Sequence, residues 1–526
     1  MQQDLRPVPR TTGRRACVFA VLCTIGLLSA VAPLRGQASP YEQLQSFSTV
    51  MNYIRLNYVD SVTYARLVNA AIDGMLRSLD PHSYLLPRDD WERFTAWEQG
   101  RFVTAGLFLE SEGDAVAVET VVPDSPADRA GVLPGDRLLT VDGVAIIGLP
   151  LQTVQGRLLG EKGSKVRLTL ERGSRLEPDT FSVTLKRSAT PVGSTATARL
   201  VDRVTGYVRL QDFKLGAGQD VHRALEALHG QGGRQVILDL RSNPGGSVPA
   251  AAEVASEFLP AGTVVFRMKG RKAGASRDFS TERGGAFPDV PLVVLINRGT
   301  ASAAEALAAC LQDHDRALVL GRRSFGKALA QVPLPLPTGD VVMLTIARIV
   351  SPSGRIIQRQ YQGLAYERYL SLAGDSGDPH DETFTTDHGR SVRGGGGVMP
   401  DVLLPGGPPR PGWLTVAMDS GFDDAVADSV ARTMPGAQLD HWIDGSDEWR
   451  ERLVPPFLSR VRSSLHVAAR SDSALEATLA RLLAGRVAEV KWGADAYDRF
   501  MLHNDPDIRA AETYFPQLRE LLSGAK

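Results

Sequence analysis

Two short, nearly continuous apolar runs, Gln235–Leu240 and Leu292–Ile296, constrain this chain more than any other feature. Each is followed by a turn and then an alanine-rich stretch, Val248–Phe258 and Ala301–Leu311. A strand with little polar surface is one buried on both faces, the situation of parallel strands joined by helices. The segment from about Gly206 to Leu404 is therefore expected to be an α/β unit.

On either side the hydrophobic period changes. From Tyr41 to about Gly100 apolar residues recur at helical spacing, first Phe47, Val50, Met51 and Ile54, then Leu67, Ala70, Ala71 and Met75. Asp80-Pro81 ends the second pattern, because a residue before proline is pushed out of the α region. From Phe102 come short β-rich runs, Phe102–Glu110, Ala115–Val121, Arg137–Val141 and Val166–Glu171, separated by Gly-containing turns. They predict a small, partly open β-domain. The polar stretch Leu364–Gly397, which ends in four glycines, reads as a surface loop or flap. After the linker-like run Pro405–Pro411 helical spacing returns, with Leu475, Leu479, Leu482, Leu483 and Val487 on one face. With 526 residues the chain divides as 1–38, an N-terminal helical segment 39–100, a β-domain 101–188, an α/β core 189–410 and a C-terminal helical region 411–526. The fold class is multidomain α/β.

Charge and cysteine content exclude several roles. Lys+Arg 59 against Asp+Glu 60 leaves no basic excess, so no nucleic-acid partner is expected. Cys17, Cys23 and Cys310 cannot build a disulfide framework or a Cys-rich zinc site. Arg6, Arg10, Arg14 and Arg15 precede the uncharged run Ala16–Leu34, which the small-residue site Gly36-Gln37-Ala38 follows. This is the layout of a secretory signal, cleaved after Ala38 or kept as an anchor, and it predicts export to the periplasm or the outer face of the cytoplasmic membrane.

Four segments carry chemistry. The first, Val121–Gly143, resembles the core of a PDZ domain, with a short helix before Gly131 leading through Pro134-Gly135-Asp136 to a strand and an Asp-Gly turn. That resemblance implies capture of a peptide carboxylate by a Gly-containing loop, and Thr104-Ala105-Gly106-Leu107-Phe108 is the stretch placed to form it. The second, Asp239-Leu-Arg-Ser-Asn-Pro-Gly-Gly246, ends a buried strand and opens a helix, where unpaired N–H groups attract negative charge. A plain tight turn has the same composition. The third, Asn297–Glu305, sets Ser302 at a strand–turn–helix junction, which can expose a nucleophile, although a lone serine there is more often an N-cap. The fourth, Gly321–Gln331, places Lys327 in a Gly-rich turn with Gln331 four residues on. Burial would make that lysine a neutral base, although a surface lysine fits too. A phosphate-binding P-loop fails, since Ala328 follows the lysine.

Taken together, these segments resemble the carboxy-terminal processing (tail-specific) proteases of the S41 serine peptidase family. The likeness runs from about Tyr41 to Asp401 and includes Asn57–Asp60, Gly74–Ser83, Ser351–Gln358 and Met399-Pro-Asp401. It implies Ser302 as nucleophile, Lys327 as general base 25 residues later, Gln331 as the residue that positions the lysine, and Gly246 with the Ala303 amide as oxyanion hole. It implies no metal and no cofactor, and substrates that are proteins or peptides with accessible C-termini. Ala328 departs from the family's usual glycine, and Asp313 falls where some members carry a supporting acid. Beyond Pro411 the likeness stops, which leaves packing on the protease, homodimerisation and adaptor binding all open.

Rival readings are a catalytically silent PDZ scaffold in the cell envelope, and a hydrolase of short peptides. No Gly-x-Ser-x-Gly elbow supports a Ser-His-Asp triad, and His82, His222, His229 and His314 read as surface or packing residues. His380 and His388, among Asp375, Asp378, Asp381 and Asp387, read as a solvated loop rather than a metal site.

Overall fold

The computed structural model describes residues 39–526 except 99–100, 113–114, 122–124, 134–135, 147–150, 173–178, 192–195, 365–368, 370–381, 409–410, 435–437 and 523–526. The segment read as a secretory signal, with Cys17 and Cys23, lies outside the described residues, as do Asp375, Asp378, His380 and Asp381. No described helix is long and apolar enough to cross a membrane.

The chain divides after Ser78. The first unit holds helices α1 (Pro40–Asn57) and α2 (Tyr64–Arg77). Ser39 and Glu42 cap α1 reciprocally, side chain to backbone N–H, at 3.2 and 2.9 Å.

The second unit opens with a turn at 80–83, β1 (Tyr84–Leu86) and α3 (Arg88–Glu98). The β-domain follows: β2 (Arg101–Thr104), β3 (Leu107–Glu112), β4 (Ala115–Val121), α4 (Pro126–Arg129), β5 (Arg137–Val141), β6 (Val144–Ala145), α5 (Leu151–Leu158), β7 (Lys165–Arg172), β8 (Asp179–Lys186) and β9 (Ser188–Pro191). Its antiparallel sheet runs β3-β4-β5-β7-β8, with β6 on β5, so β3 is an edge strand. Val166, Leu168 and Leu170 alternate inward along β7 and meet Val154 and Leu158 of α5. β2 and β9 pair with each other where the chain enters and leaves the domain.

The α/β core comprises β10 (Ala196–Leu200), β11 (Thr205–Leu210), α6 (Ala217–Gly230), β12 (Gln235–Asp239), α7 (Val248–Ala255), β13 (Val264–Gly270), β14 (Arg277–Ser280), β15 (Leu292–Ile296), α8 (Ala303–Asp313), β16 (Leu318–Gly321), β17 (Leu329–Pro335), β18 (Val341–Val350), β19 (Thr383–Thr385), β20 (Ser391–Arg393) and β21 (Val402–Leu403). The central sheet runs β10-β11-β12-β15-β16-β21, parallel from β11 onward. Val208, Leu238, Val294 and Val319 face α6, α7 and α8, and every residue of α8 is buried. Burying such an aliphatic side chain contributes about 1.5–3 kcal/mol.

The opposite face, with Tyr207, Ile237, Val293, Leu295, Leu318 and Leu320, packs on Ile508, Ala511, Phe515 and Leu518. These last residues belong to the end of the chain. After α9 (Gly412–Asp419), α10 (Phe422–Arg432), α11 (Leu439–Asp444), α12 (Ser446–Leu465), α13 (Ser473–Trp492) and α14 (Ala494–His503), which share their own core, come α15 (Pro506–Glu512) and α16 (Leu518–Leu522). Of the three roles left open for the C-terminal region, packing on the core is therefore realised by its last helices.

A second sheet is built on the long strand β18. β17 pairs with it over Leu329–Pro335, while β13 and β1 pair with successive stretches, β1 through Tyr84↔Met343 and Leu86↔Val341. This register brings the turn at 80–83 beside Thr345, whose N–H donates to Ser83 Oγ at 3.1 Å.

Candidate active site

Strands β12, β15 and β16 end side by side, so the three turns that follow them converge. Thr300 Oγ1 donates to Leu240 O at 2.7 Å and the Ala301 N–H to Asn243 O at 2.9 Å, which joins the first two turns. The Phe325 N–H donates to Thr300 O at 2.9 Å and ties in the third.

Ser302 immediately precedes α8 with φ +56° and ψ −118°, a left-handed backbone that a side chain with a Cβ adopts only where its surroundings impose it. Its surroundings include Gly245. A Cβ at Gly245, whose φ is +96°, would sit 2.7 Å from Ala301 O and 2.8 Å from Ser302 Cβ, so only glycine lets the turn after β12 lie this close to the serine. Among the described residues the N–H groups of Gly246 and Ala303 donate to no protein acceptor. Both belong to the turns that meet at Ser302.

Glu305, one turn into α8, is fully buried and organises the centre. Its Oε2 accepts the N–H of Ser302 at 2.9 Å and the N–H of Lys327 at 2.8 Å. Its Oε1 accepts the N–H of Gly326 at 2.6 Å and the Ser324 hydroxyl at 2.5 Å. One carboxylate thus clamps the serine elbow to the lysine loop. Burial pushes Glu305 up to about 7, against the pull of these donors. Burial likewise pushes the Lys327 ammonium below its ordinary range, partly opposed by the negative charges of Glu305 and Asp80. No hydrogen bond joins Ser302 Oγ to Lys327 Nζ among the described residues; in unliganded sites such bonds are commonly long and tighten on binding.

Gln331 lies at a bulge in β17, opposite Thr345. Its Nε2 donates to Leu329 O at 3.1 Å and to Thr345 Oγ1 at 3.0 Å. Around it stand residues to which the sequence reading gave no part in the site. Asp80 accepts from Thr345 Oγ1, Ser83 Oγ and the His82 N–H. His82, expected to be a surface or packing residue, shares a 2.9 Å hydrogen bond between Nε2 and Tyr369 OH. It is pushed down to about 4, first by burial and then by the nearby positive charge of Lys327. Gln358 fixes the lysine turn by accepting the Ala328 N–H at 2.7 Å.

Asp239 and Arg241 form a second buried network under the same turns. Arg241 grips Asp239 through Nε and Nη2 at 3.0 and 2.6 Å, and Tyr207 OH donates to Asp239 at 2.7 Å. Arg241 Nη1 reaches Asp505 and Asp507 at 3.1 and 3.0 Å, and Arg322 binds Asp507 at 2.6 and 3.0 Å. The C-terminal helix α15 is therefore pinned beneath both the Gly245–Gly246 turn and the lysine loop.

Asp313 is not placed to assist Ser302. It lies at the far end of α8, about 16 Å along the axis at 1.5 Å per residue, and forms a buried ion pair with Arg355 at 2.7 Å. His314 and His388 are engaged structurally, with Val264 O and Leu522 O, and His222 pairs with Glu257.

In the β-domain, Thr104 ends β2, Leu107 and Phe108 open the edge strand β3, and Ala105 and Gly106 lie between. A Cβ on Gly106, at φ +88°, would meet Ser125 Cβ at 2.1 Å, so the bend requires glycine. The Ala105 carbonyl is already taken by the Ala127 N–H at 2.9 Å. Helix α5 packs beside β3, which leaves the strand's outer edge flanked by a helix and headed by this bend.

Glu305 and Asp80 were the residues of this candidate site hardest to find in the sequence. The Ser-x-x-Glu spacing of a capping box marks Glu305, although nothing local ties it to a loop some twenty residues away.

Comparison with known proteins gives the family. Residues 204–366 match peptidase family S41 and residues 118–172 match a PDZ domain. The chain is 33% identical over 326 residues to a carboxy-terminal-processing protease of Bartonella bacilliformis, covering 61% of this chain and 74% of the relative. It is 35% identical over 293 residues to a carboxyl-terminal-processing protease of Synechocystis sp., covering 55% of this chain and 68% of the relative. The solved photosystem II D1 C-terminal processing protease aligns at 29% identity over 68% of this chain and 86% of its own, with a TM-score of 0.38, too loose a superposition to argue from. On these relatives the chain belongs to the carboxy-terminal-processing proteases, the PDZ-bearing serine peptidases of family S41.

Proposed function

We propose that this protein is an exported endopeptidase that captures the C-terminal tail of a protein with its PDZ domain and cuts it with a Ser302–Lys327 pair. The observation that carries this reading is the Glu305 clamp, which holds the backbones of Ser302 and Lys327 on one buried oxygen. Neutral Lys327 takes the Ser302 hydroxyl proton as Oγ attacks the scissile carbonyl carbon. The oxyanion that forms is met by the N–H groups of Gly246 and Ala303, donors with no protein acceptor of their own among the described residues. Collapse breaks the C–N bond, and the Lys327 ammonium returns the proton to the leaving amine. Water then gives a proton to Lys327 as it attacks the acyl ester carbon, and the Lys327 ammonium returns that proton to Ser302 Oγ as the ester C–O bond breaks. Gln331 steadies the lysine. The tail lies along the open edge of β3 as an added strand, its carboxylate at the bend around Gly106. Export follows from the basic, apolar and small-residue layout of residues 6–38.

The test is cleavage of a folded protein with an apolar, exposed C-terminus. Ser302→Ala and Lys327→Ala are each expected to abolish cutting, and Lys327→Arg to stay inactive because guanidinium remains charged. In the wild type kcat/KM should rise with pH through a single limb below the ordinary lysine range, since burial lowers Lys327 and only the neutral amine acts. Full activity in a folded Ser302→Ala or Lys327→Ala variant would overturn the pair. Retained cutting by Lys327→Ala alone would favour another base, with His82 the nearest imidazole in this network.

A further inference from the structure

We propose that Asp80 is a positioning residue for the lysine base: acting through Thr345, it holds the Gln331 carboxamide with its oxygen free to accept from Lys327. The inference rests on the reading of Lys327 as base given above.

The hydrogen bonds run in one direction. A carboxylate only accepts, so Thr345 Oγ1 donates its single proton to Asp80 Oδ1 at 3.1 Å. That hydroxyl can then only accept from Gln331, which therefore turns its NH2 toward Thr345, at 3.0 Å. The Leu329 carbonyl makes the same demand at 3.1 Å. Oε1, which has no partner among the described residues, is left as the acceptor that Gln331 offers. Asp80 is itself fixed by Ser83 Oγ at 2.7 Å and the His82 N–H at 2.8 Å, and it is buried. The relay exists because β1 and β17 both pair with β18: β1 delivers Asp80 and Ser83 to Thr345, and the bulge in β17 delivers Gln331.

Asp80 also acts on the lysine through space. The charged and titratable groups that face Lys327 are Glu305 from α8 and Asp80 and His82 from the turn before β1, with Arg359 and Tyr369 from the segment after β18 standing against His82. Of these, Glu305 and Asp80 favour the ammonium. Removing the Asp80 charge should ease loss of the lysine proton, so the rising limb of activity moves to lower pH.

The experiment compares steady-state pH–rate profiles, with kcat and KM resolved, of wild type, Asp80→Asn, Thr345→Val, Thr345→Ser and Lys327→Ala on one peptide substrate. Asp80→Asn should move the limb acidward by on the order of one pH unit, and lower the plateau kcat about tenfold as the relay loses its fixed direction. Thr345→Val should lower kcat with KM little changed and the limb in place, because the charge remains while the relay is cut. Thr345→Ser, which keeps the hydroxyl, should restore most of the rate. A limb unmoved in folded Asp80→Asn, or wild-type kcat in Thr345→Val, would overturn the proposal while inactive Lys327→Ala leaves the reading of the base intact. If Asp80→Asn does not fold, the Thr345 pair decides, since a merely structural threonine would not make kcat follow the hydroxyl. Activity in Lys327→Ala would remove the base itself, and this proposal with it.

Discussion

Glu305→Gln is the sharpest perturbation of the site, because it keeps the shape of the side chain and changes only what its two ends accept. The carboxylate takes four donors: Ser302 N–H and Lys327 N–H on one oxygen, Gly326 N–H and Ser324 Oγ on the other. A carboxamide has one oxygen and one NH2. Whichever way it is turned, the NH2 confronts two of those donors, and the Ser324 hydroxyl is held by the Val398 N–H, which donates to it at 2.6 Å. Each buried donor left without an acceptor costs about 1–3 kcal/mol, so the substitution should destabilise the junction by roughly 2–6 kcal/mol. At 1.4 kcal/mol per tenfold, the lower bound is an increase of about 30-fold in local opening. A chain of several folding units has no single unfolding free energy, so a local probe is the right one. Hydrogen exchange of peptides spanning 300–306 and 322–329 should accelerate by at least about 30-fold in the variant, with other segments of the α/β core unchanged, and kcat should fall with it. Wild-type protection of both peptides in a folded variant, together with full activity, would show that Glu305 does not hold the two loops together.

Two further outcomes follow from the same structure. Asp507→Asn removes the carboxylate that binds Arg322 and one of those that bind Arg241; breaking such a pair costs about 3–5 kcal/mol when the partner is buried, less here because Arg241 keeps Asp239 and Asp505. Peptides covering α15 and α16 should exchange faster and kcat should drop with KM unchanged; unchanged exchange would mean that apolar packing alone holds the C-terminal helices. Amidating the C-terminus of a protein substrate removes a charge whose hydrogen bonds contribute about 1.5–3 kcal/mol, so kcat/KM should fall roughly tenfold or more in the intact enzyme. Equal cutting of free and amidated tails would make the β-domain a spacer.

How much of this was legible before folding depended on how local each signal was. Ser302, Lys327 and Gln331 stood in short motifs with characteristic turns, whereas the demand for glycine at positions 106 and 245 comes from Ser125 and from Ala301 and Ser302, which only the fold brings close. The apolar runs Gln235–Leu240 and Leu292–Ile296 also announced burial on both faces, and the sheet bears that out. What covers the second face could not be read there, because Ile508, Phe515 and Leu518 lie some two hundred residues downstream and their amphipathic spacing fits any apolar partner.

The functional environment of Lys327 shows the same division. The base role proposed for it needs burial, a carboxylate nearby and an oriented amide, and none of these is a property of residues 321–331 alone. Glu305 was in view as part of the serine motif, yet its second task, receiving the amides of Gly326 and Lys327, exists only once β15 and β16 are neighbours. Asp80 was visible as the residue before a helix-ending proline, and His82 read as a surface or packing residue. Their place beside Lys327 comes from pairing Tyr84 with Met343, a register set by the global packing of β18. Local sequence thus marked the candidate residues for reaction, since turns and motifs are short-range in their physics. Tertiary structure decided which groups tune them, because electrostatic and hydrogen-bond partners are selected by distance in space, and distance in sequence carries no information about that.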